Sequence, residues 1–501
     1  MNSKCTQHWS EQRGVLDRCP EASIVTLRLY DTASRRKREV SYSGDEVTIY
    51  ACGITPYSPS HIGHARQAIA FDTLVRWLNF NQIDTRYVTN FTDISDTIID
   101  AAKEEGVDFT EISNRHIDSY VESMKALNVR KADAYPRVTE SIESIIGMIE
   151  KLVDKGNAYV ADDGVYFEID TAPEKYGALT GQTLEMVRSG AGGRVDKTGL
   201  GKRDHRDFAL WKFAKPDEPS WESPYGAGRP GWHIECSAMV FDHFGEQVDI
   251  HGGGSDLMFP HHEAEIFQSE CCHGIKPFAR HWMHNGMINI DGEKMSKSLG
   301  NFWTIAEAID AVGPLVLRYA LINAPYRQPI DFNQVLLDDA KKNHARLIGA
   351  IMEAGGPEIA ASWEGNDILT EAEKKLVSGM NDDLNTRVAI AETQSVVRIL
   401  NRANSAGDES LSNSCVGWLL ELAGGVLGII PDSDFFANKM AERDSKISSI
   451  IDEVKALIEK RDRARSTKNW AEADNIRDQL LGLGVSIQDT PDGTTWDYSE
   501  V

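Results

Sequence analysis

Two histidines three residues apart, His61 and His64, are the first residues of this chain whose types and spacing predict chemistry. Helical spacing of apolar residues begins after His61, so both imidazoles should face one side of a helix N-terminus, where the backbone favours anions. Gly63 leaves room for a nucleotide to approach the main chain. The tetrapeptide therefore predicts a phosphate site; the alternative is a pair of capping or core histidines in an ordinary turn.

A second phosphate-binding motif is predicted far along the chain, where Lys294 and Lys297 flank Met295 and Ser296. Two ammonium groups on flexible stems suit a pyrophosphate that must be held in a transition state and then released. An isolated pair of this kind is otherwise a solvated basic turn, but its position after a strand-like segment favours phosphate binding. Together the two motifs predict activation of a carboxylate by attack on the α-phosphate of ATP, which needs positioning and charge stabilisation.

A mixed set of sulfur, nitrogen and oxygen ligands could bind a metal ion. The candidates are Cys52, Cys236, His261 and Glu265. Zinc accepts such a set, and a helix would place His261 and Glu265 on one face, although His262 could also reach that face. Cys236 could instead be a buried free thiol, and Glu265 an exposed ion-pair partner. The residues alone leave these alternatives open.

Hydrophobic spacing predicts the elements that must position these residues. Val47–Ala51 and Asp84–Asn90 are typical of strands and flank the helix that follows His61, which makes a βαβ unit. Val248–His251 and Gly286–Ile290 return to strand character, so the sheet should resume after a long insertion. The predicted fold is α/β: a Rossmann-like doubly wound parallel sheet with an inserted connective domain, an all-α helical-bundle domain and a small C-terminal region.

Composition limits the classes of protein and partner. The length of 501 residues suits two or three domains, and seven cysteines without an export signal argue against a disulfide framework. Residues 1–22 are charged without an apolar run, and no stretch approaches the roughly 18 apolar residues that span a bilayer. A cytoplasmic protein without a membrane partner is therefore expected. The net charge of −24, from 53 basic and 77 acidic residues, restricts any nucleic-acid contact to local basic segments.

One such basic segment lies near the C-terminus. It contains Lys460, Arg461, Arg463, Arg465 and Lys468, and Trp470 follows it. Basic side chains beside an exposed aromatic ring suit phosphate contacts together with stacking on an unpaired base. The alternative is a solvated helix face with Trp470 packed inward.

Long strings around these motifs resemble the cysteinyl-tRNA synthetase family of class I aminoacyl-tRNA synthetases. The strings, within a resemblance that covers roughly residues 27–498, are Cys52-Gly53, Thr92–Ile94, Asp207–Lys212, Gly231–Met239, His251–Asp256 and Pro260–Glu265. The resemblance implies activation of L-cysteine by ATP with Mg²⁺. It also implies transfer of the cysteinyl group to the 3′-terminal adenosine of cysteine tRNA, with the C-terminal region binding the anticodon.

The resemblance implies a role for each site residue. The catalytic groups would be His61, His64, Lys294 and Lys297. ATP would be bound by Gly63, Gly254, Asp256 and Lys297, with Asp256 on the ribose unless it caps the next helix. Cysteine would be bound by Cys52, Gly53, Thr92, Trp232 and His251, with core packing as the alternative for Trp232. One zinc ion would be held by Cys52, Cys236, His261 and Glu265. The contacts to tRNA would come from Arg461, Arg465, Lys468 and Trp470.

A zinc ion would also explain how cysteine is told from serine. The two differ by one atom, which an apolar pocket discriminates poorly. Zinc lowers the pKa of a thiol and binds the thiolate strongly, whereas a hydroxyl stays neutral and binds weakly. Such a site would select its substrate without a separate editing domain.

The resemblance also implies a domain division and a monomeric enzyme. The expected regions are a flexible N-terminal extension (1–22), the first half of the Rossmann domain (23–125), the inserted connective region (126–225), the second half of the Rossmann domain (226–312), a linker that contacts the tRNA stem (313–340), the helical bundle (341–440) and the anticodon-binding region (441–501).

Two alternatives to this function are weighed. Pro56 and Ser58 replace an expected Val and Asp, and this version of the segment resembles the cysteine ligase of mycothiol synthesis, which joins activated cysteine to an amino sugar. That ligase lacks a long anticodon-binding tail, whereas this chain continues far past Lys297 with helices and a basic end. A non-catalytic tRNA- or zinc-binding paralogue is disfavoured because both phosphate motifs are intact.

Overall fold

Strands and helices alternate through the first part of the chain. The computed structural model describes residues 27–181, 201–290, 292–295, 302–490 and 493–498. In chain order its first elements are β1 (Arg28–Asp31), β2 (Arg36–Glu39), β3 (Glu46–Ile54), α1 (Ile62–Phe80), β4 (Asp84–Phe91), α2 (Asp96–Glu105), α3 (Phe109–Ala126), α4 (Ile142–Asp154), β5 (Ala158–Ala161), β6 (Gly164–Phe167), β7 (Phe208–Phe213), β8 (Gly228–Pro230), α5 (Trp232–Phe244), β9 (Val248–Gly254), α6 (Glu263–His273), β10 (Ala279–Asn285), β11 (Ile288–Ile290) and β12 (Glu293–Lys294). The predicted extension 1–22, most of the 189–206 insertion and Lys297 lie outside the described residues.

A four-stranded parallel sheet in the order β10-β9-β3-β4 lies at the centre of this part. The predicted unit of β3, α1 and β4 is confirmed. From β3 the chain first adds β4 on one side and later β9 on the other, so strand order reverses between β3 and β9. In a doubly wound sheet the crevice at the carboxyl ends of such a strand pair is where ligands bind.

The predicted return of Gly286–Ile290 to the central sheet is wrong. The last strand of the central parallel sheet is β10. Strand β11 instead pairs with β12 and with a later strand, in a separate three-stranded sheet. Strand β10 is almost wholly buried despite carrying His281, His284 and Asn285. Its polar side chains break the hydrophobic pattern by which a buried strand is recognised.

The insertion into the sheet is a small antiparallel domain, as predicted. Strands β5 to β8 form a four-stranded sheet in chain order, between β4 and β9 of the central sheet. Trp211 and Phe167 on this sheet are fully buried with Ile234 of α5 in one hydrophobic cluster. The inserted sheet therefore packs directly against the helix that leads back into the parallel sheet.

The rest of the chain is mainly helical. Its elements are α7 (Ile305–Val312), α8 (Pro314–Ile322), β13 (Ile330–Asp331), α9 (Gln334–Ala354), α10 (Asp367–Asn381), α11 (Thr386–Ala406), α12 (Glu409–Trp418), α13 (Ser433–Ser466), α14 (Trp470–Gly482), β14 (Val485–Thr490) and β15 (Gly493–Tyr498). Helix α13, the end hairpin and α14 have their own core around Val454, Leu457 and Leu480. None of the described helices has the length and apolar character to cross a membrane.

A buried ionic cluster connects α1 to the helical part. Asp72 of α1 binds Arg76 at 2.8 Å and Arg318 of α8 at 2.5 Å. Both arginines also donate to the π-helical segment Leu419–Val426 that continues α12, or to the residue after it: Arg318 to the Leu427 carbonyl at 2.7 Å and Arg76 to the Gly425 carbonyl at 2.9 Å. Burial would raise the pKa of Asp72, but the two guanidinium groups outweigh it and lower the pKa. Breaking such a pair would leave a buried charge uncompensated, so α1 is fixed to the bundle at this point.

Candidate active site

The carboxyl halves of the four parallel strands bring two predicted site residues, Cys52 and His251, together with two that the sequence did not indicate, Asn90 and His284. Cys52 lies near the end of β3, Asn90 near the end of β4, His251 on β9 and His284 on β10. All four side chains are buried, at 6% exposure or less. The site therefore occupies the position at the reversal of strand order that the topology indicates.

The four predicted metal ligands form one buried cluster. Their candidate ligand atoms all lie within 4.8 Å of one another. Sγ of Cys52 lies 3.5 Å from Sγ of Cys236 and 3.5 Å from Oε1 of Glu265, and Nε2 of His261 lies 3.2 Å from the same carboxylate oxygen. Two thiols, one imidazole and one carboxylate in this proximity fit a four-coordinate zinc ion in number and type.

The neighbouring His262 reaches the same atoms from the other side. Its Nε2 lies 3.3 Å from Sγ of Cys52, and a second group of candidate ligands joins it to Cys52, His251 and Glu265. Its Nδ1 faces Nε2 of His284 at 2.7 Å. The distances therefore allow His262 as a metal ligand, which is the alternative that the sequence left open. Only the group of candidate ligands with His261, however, contains both thiols.

Burial sets the ionisation of this cluster. It raises the pKa of the Cys52 thiol well above its usual value and lowers the pKa values of His261 and His262 well below theirs. The imidazoles are thus held in the neutral form that binds metals. Because a thiol must lose its proton to become a metal ligand, metal binding here would release protons.

The expected cysteine pocket lies beside the cluster. The Gly53 N–H donates to Oδ1 of Asn90 at 2.9 Å, and a Cβ at Gly53 would fall 1.6 Å from the Asn90 carbonyl oxygen, so only glycine fits there. The Thr92 hydroxyl donates to buried Glu235 at 3.1 Å, and burial raises the pKa of Glu235 well above its usual value. The ends of β3 and β4 thereby form a fixed polar wall.

Trp232 covers the cluster from the solvent side. Its side chain is 43% exposed, and its ring stacks on His261 with the ring centroids 4.5 Å apart. The alternative that Trp232 belongs to the core is therefore wrong. It is the first residue of α5 and follows Gly231, whose Cα lies too close to the Ala209 carbonyl for any side chain. Close contact between β7 and α5 thus places the indole at the mouth of the site.

Both histidines of the first motif cap α1. Nδ1 of His61 accepts from the Gly63 N–H at 3.1 Å, and Nδ1 of His64 accepts from the His61 N–H at 3.2 Å. The capping alternative is therefore correct, and it also fixes the chemistry of the rings. With Nδ1 occupied as an acceptor, each neutral ring carries its proton on Nε2, as a donor. The rings stack with centroids 3.7 Å apart, so two donors lie side by side at the helix N-terminus.

The second motif begins in contact with the first. A Cβ at Gly63 would lie 3.9 Å from Cε of Met295, and the Ile62 N–H donates to the Trp303 carbonyl at 3.2 Å. Met295 of the lysine motif and Trp303, which follows the motif, therefore lie at the start of α1. The side chains of Lys294 and Lys297 lie outside the described residues.

The glycine run Gly252–Gly254 forms the carboxyl end of β9. A Cβ at Gly252 would fall 1.7 Å from the Met283 carbonyl oxygen, which keeps β9 tight against β10. Asp256 is exposed, and the cap position of the next helical turn is Leu257, so the capping alternative for Asp256 is wrong. Gly254 lies between this aspartate and Gln67 of α1.

Several site residues were missed by the sequence interpretation. Gln67 donates to the Cys52 carbonyl at 2.5 Å, Asn90 accepts from the Gly53 N–H, Glu235 accepts from the Thr92 hydroxyl, and His284 faces His262. Gln67 follows His64 by three residues on the same helix face, a spacing that could have indicated it. The other three have partners on distant elements, which no local pattern reveals.

The predicted tRNA residues divide into two groups. Arg461 is only 6% exposed and binds both carboxylate oxygens of Asp489 at 2.8 Å, and Arg465 reaches the same carboxylate at 2.5 Å. These two arginines therefore hold β14 against α13. Lys468 is exposed, and Trp470 is 58% exposed at the start of α14, so the inward-packed alternative for Trp470 is wrong.

Family comparisons match nearly the whole chain. Residues 39–342 match the class I (C) tRNA synthetase catalytic domain, residues 377–431 the DALR domain and residues 449–496 the cysteinyl-tRNA ligase anticodon-binding domain. The chain is 43% identical to the cysteine–tRNA ligase of Laribacter hongkongensis, which covers 94% of this chain and 99% of the relative. The cysteine–tRNA ligase of Nitratidesulfovibrio vulgaris is 42% identical, with coverage of 94% and 100%.

Solved structures share the fold at low sequence identity. Mycobacterium tuberculosis methionyl-tRNA synthetase with methionyl-adenylate has a TM-score of 0.58 at 15% identity, covering 77% of this chain and 92% of that one. An Agrobacterium radiobacter LeuRS in a ternary complex has a TM-score of 0.59 at 11% identity, with coverage of 78% and 84%. The predicted α/β architecture with appended helical regions is thus confirmed.

Proposed function

The chain belongs to the cysteine–tRNA ligase family of class I aminoacyl-tRNA synthetases, and we propose that it activates L-cysteine with ATP and charges cysteine tRNA. One observation carries this proposal beyond the family resemblance. A cluster of two thiols, an imidazole and a carboxylate lies where strand order reverses, beside the helix that bears both phosphate-facing histidines. The cluster can select a thiol substrate, and the helix can bind the triphosphate that activates it.

We propose that Cys52, Cys236, His261 and Glu265 hold one zinc ion. Zinc in that position would bind the substrate as a thiolate and leave serine, whose hydroxyl stays neutral, weakly bound. The protein's own groups then fix the rest of the amino acid. Gly53, Thr92 and His251 form the walls, and Trp232 covers the pocket, so that the carboxylate points toward the N-terminus of α1.

Activation depends on charge placement around the phosphates. Nε2–H of His61 and of His64 donates to phosphate oxygens of ATP, which arrives with Mg²⁺, and Gly63 lets the nucleotide approach the helix N-terminus. Lys294 and Lys297 neutralise the departing pyrophosphate, and Asp256 accepts from a ribose hydroxyl beside Gly254. The substrate carboxylate attacks the α-phosphate in line and pyrophosphate leaves; the cysteinyl group then passes to the 2′-hydroxyl of the terminal adenosine, and AMP leaves.

The helical half is proposed to bind the tRNA. Residues 313–340 would contact the stem, 341–440 would form the bundle, and 441–501 would bind the anticodon, with Lys468 and Trp470 as direct contacts. Arg461 and Arg465 would act through Asp489 by fixing the end hairpin. The proposal is a monomeric enzyme that works in the cytoplasm, where its tRNA is used.

Two assays on the unaltered chain test this function. We expect cysteine-dependent exchange of pyrophosphate into ATP, followed by charging of a cysteine tRNA transcript. Absence of exchange would exclude catalysis altogether. Exchange without charging, together with transfer of cysteine to an amino sugar, would instead support the mycothiol-pathway type of ligase.

Replacing Trp470 by alanine tests the contact to tRNA. Stacking of an aromatic ring on an unpaired base contributes about 1–3 kcal/mol, so kcat/KM for tRNA should fall roughly five- to hundredfold. Pyrophosphate exchange should be unchanged, because Trp470 is remote from the phosphate site. Phe435→Ala is the matched control, since it removes another exposed ring about 50 Å away along α13. Equal charging by Trp470→Ala and the unaltered chain would count against the stacking contact.

A further inference from the structure

We propose that the turn of the β1–β2 hairpin binds phosphates of the tRNA near its 3′ end, an inference that rests on the proposed function. The hairpin is strongly basic within an acidic chain of net charge −24. Its basic residues are Arg28, Arg35, Arg36, Lys37 and Arg38, against two acidic residues, Asp31 and Glu39. A local charge opposite to that of the chain is what contact with a polyanion requires.

The hairpin's basic residues are not equivalent. Arg38 binds Asp31 at 2.8 Å, and Lys37 binds Asp382 at 2.8 Å, so both serve to fix the hairpin. Arg35 and Arg36 lie at the turn, and both are exposed. Within the part of the chain that the structure describes, neither forms an ion pair. The turn therefore presents two guanidinium groups to solvent, each able to form paired hydrogen bonds with a phosphate.

The turn is fixed directly beside the active site. The Thr32 hydroxyl lies 2.7 Å from Nδ1 of His284, whose other nitrogen faces His262. The Thr32 N–H also donates to the Trp282 carbonyl at 3.0 Å, so the hairpin is held to the edge of the central sheet by its main chain. Arg35 follows only three residues after Thr32. The turn therefore lies next to the site that the terminal adenosine of the tRNA would enter, and the phosphates adjacent to that adenosine are its proposed ligands.

Contact with a second segment of the chain, the loop that ends at Gly181, orients Arg35. Its guanidinium lies over Gly181, where a Cβ would fall 2.0 Å from Nη2, so a side chain at Gly181 would displace it. The loop before Gly181 is held by Glu263, which accepts from the N–H groups of Gly177 and Thr180 at 2.9 and 3.0 Å. Since Glu263 lies between the candidate ligands His262 and Glu265 in sequence, the loop, the arginine and the site form one rigid assembly. Such preorganisation reduces the ordering cost of binding.

The test removes both charges without touching the catalytic groups. The variant is Arg35→Asn with Arg36→Gln, because Arg35 has a φ of +55° and asparagine tolerates that conformation. We expect kcat/KM for charging a cysteine tRNA transcript to fall about tenfold, and the slope of log Kd against log NaCl concentration to fall by about two, one for each lost contact. Cysteine-dependent pyrophosphate exchange should keep its kcat and both KM values.

Two further variants test whether the loss of charging is specific to Arg35 and Arg36. Lys103→Gln with Lys125→Gln removes the same charge from two exposed residues on α2 and α3, outside the proposed catalytic and tRNA-binding regions, and should leave charging unchanged. Arg35→Lys with Arg36→Lys keeps the charge and should retain most of the activity. Ethylation of phosphates in the last few nucleotides at the 3′ end of the tRNA should weaken its binding to the unaltered chain. The same ethylation should not weaken binding to the Asn and Gln variant.

Any other result contradicts the inferred contact between the hairpin turn and the tRNA. Normal charging by the Asn and Gln variant would exclude the contact, and an equal loss in the Lys103 and Lys125 control would reduce it to a general effect of net charge. Loss of pyrophosphate exchange would place the two arginines in catalysis instead. Failure of the proposed function is separately visible, because the unaltered chain would then charge no tRNA.

Discussion

Replacing Cys236 by serine should raise the KM for cysteine by about a hundredfold or more and reduce the zinc content of the protein. Removing a partner that only supports a metal ligand already costs tenfold to a hundredfold in metal affinity or activity, and Cys236 is a proposed ligand itself. Its Sγ lies 3.5 Å from that of Cys52, so a shorter, harder oxygen would replace one of two sulfur atoms. Discrimination against serine should weaken in parallel, because it depends on the same ion.

The control for this variant is Cys272→Ser. Cys272 is also a buried free thiol, on the helix that bears Glu265, but it lies outside both groups of candidate ligands. Metal content by mass spectrometry and pyrophosphate exchange over a range of cysteine and serine concentrations should be normal in Cys272→Ser. If Cys236→Ser kept full zinc and an unchanged KM, the proposed metal site would be wrong.

Replacing His64 by asparagine should lower the rate of adenylate formation about 100- to 1,000-fold, the usual cost of losing one donor to developing charge. Oδ1 of asparagine can replace Nδ1 of the imidazole as the acceptor for the His61 N–H, so the cap of α1 should survive. The donor at Nε2 is lost, because the amide is too short to reach the same point. The variant therefore separates capping from catalysis.

Asp108→Ala supplies the comparison for helix capping. Asp108 caps α3 through the Thr110 N–H at 2.9 Å and lies outside the site. Its loss should lower the free energy of unfolding by about 1 kcal/mol and leave adenylate formation unchanged. Urea denaturation and single-turnover adenylate formation on both variants give the two quantities. A His64→Asn variant that is unstable yet turns over normally would show that the imidazole serves only as a cap.

The local sequence pattern was sufficient to predict the two phosphate motifs and much of the central parallel sheet. The strand before Cys52, the helix after His61 and the strand after Asp84 follow from periodicities that need no distant partner. Strand β10 could not be found this way, because its His281 and His284 are buried by contacts from β1, β9 and α1. Polar residues that are paired in the interior look exposed in sequence.

The candidate site likewise has features that the sequence predicts and features that only the structure shows. Cys52, Cys236, His261 and Glu265 could be proposed from residue type together with the resemblance, yet only the structure shows that His262 approaches the same thiol. In the tail, the basic cluster alone suggests nucleic-acid contacts throughout. Arg461 instead binds Asp489, a partner 28 residues away in the chain, and no local rule predicts that pairing.

The ionic cluster of Asp72, Arg76 and Arg318 has a mechanical consequence. Helix α1 carries His61 and His64 at its N-terminus, and roughly 16 Å further along its axis it is anchored to the π-helical segment that continues α12. A helix packed on both sides moves as one body, so any displacement of the bundle is transmitted along α1 to the imidazoles. In the proposed function, binding of the RNA to the helical half and alignment of the triphosphate at the N-terminus of α1 would therefore be coupled through this one helix.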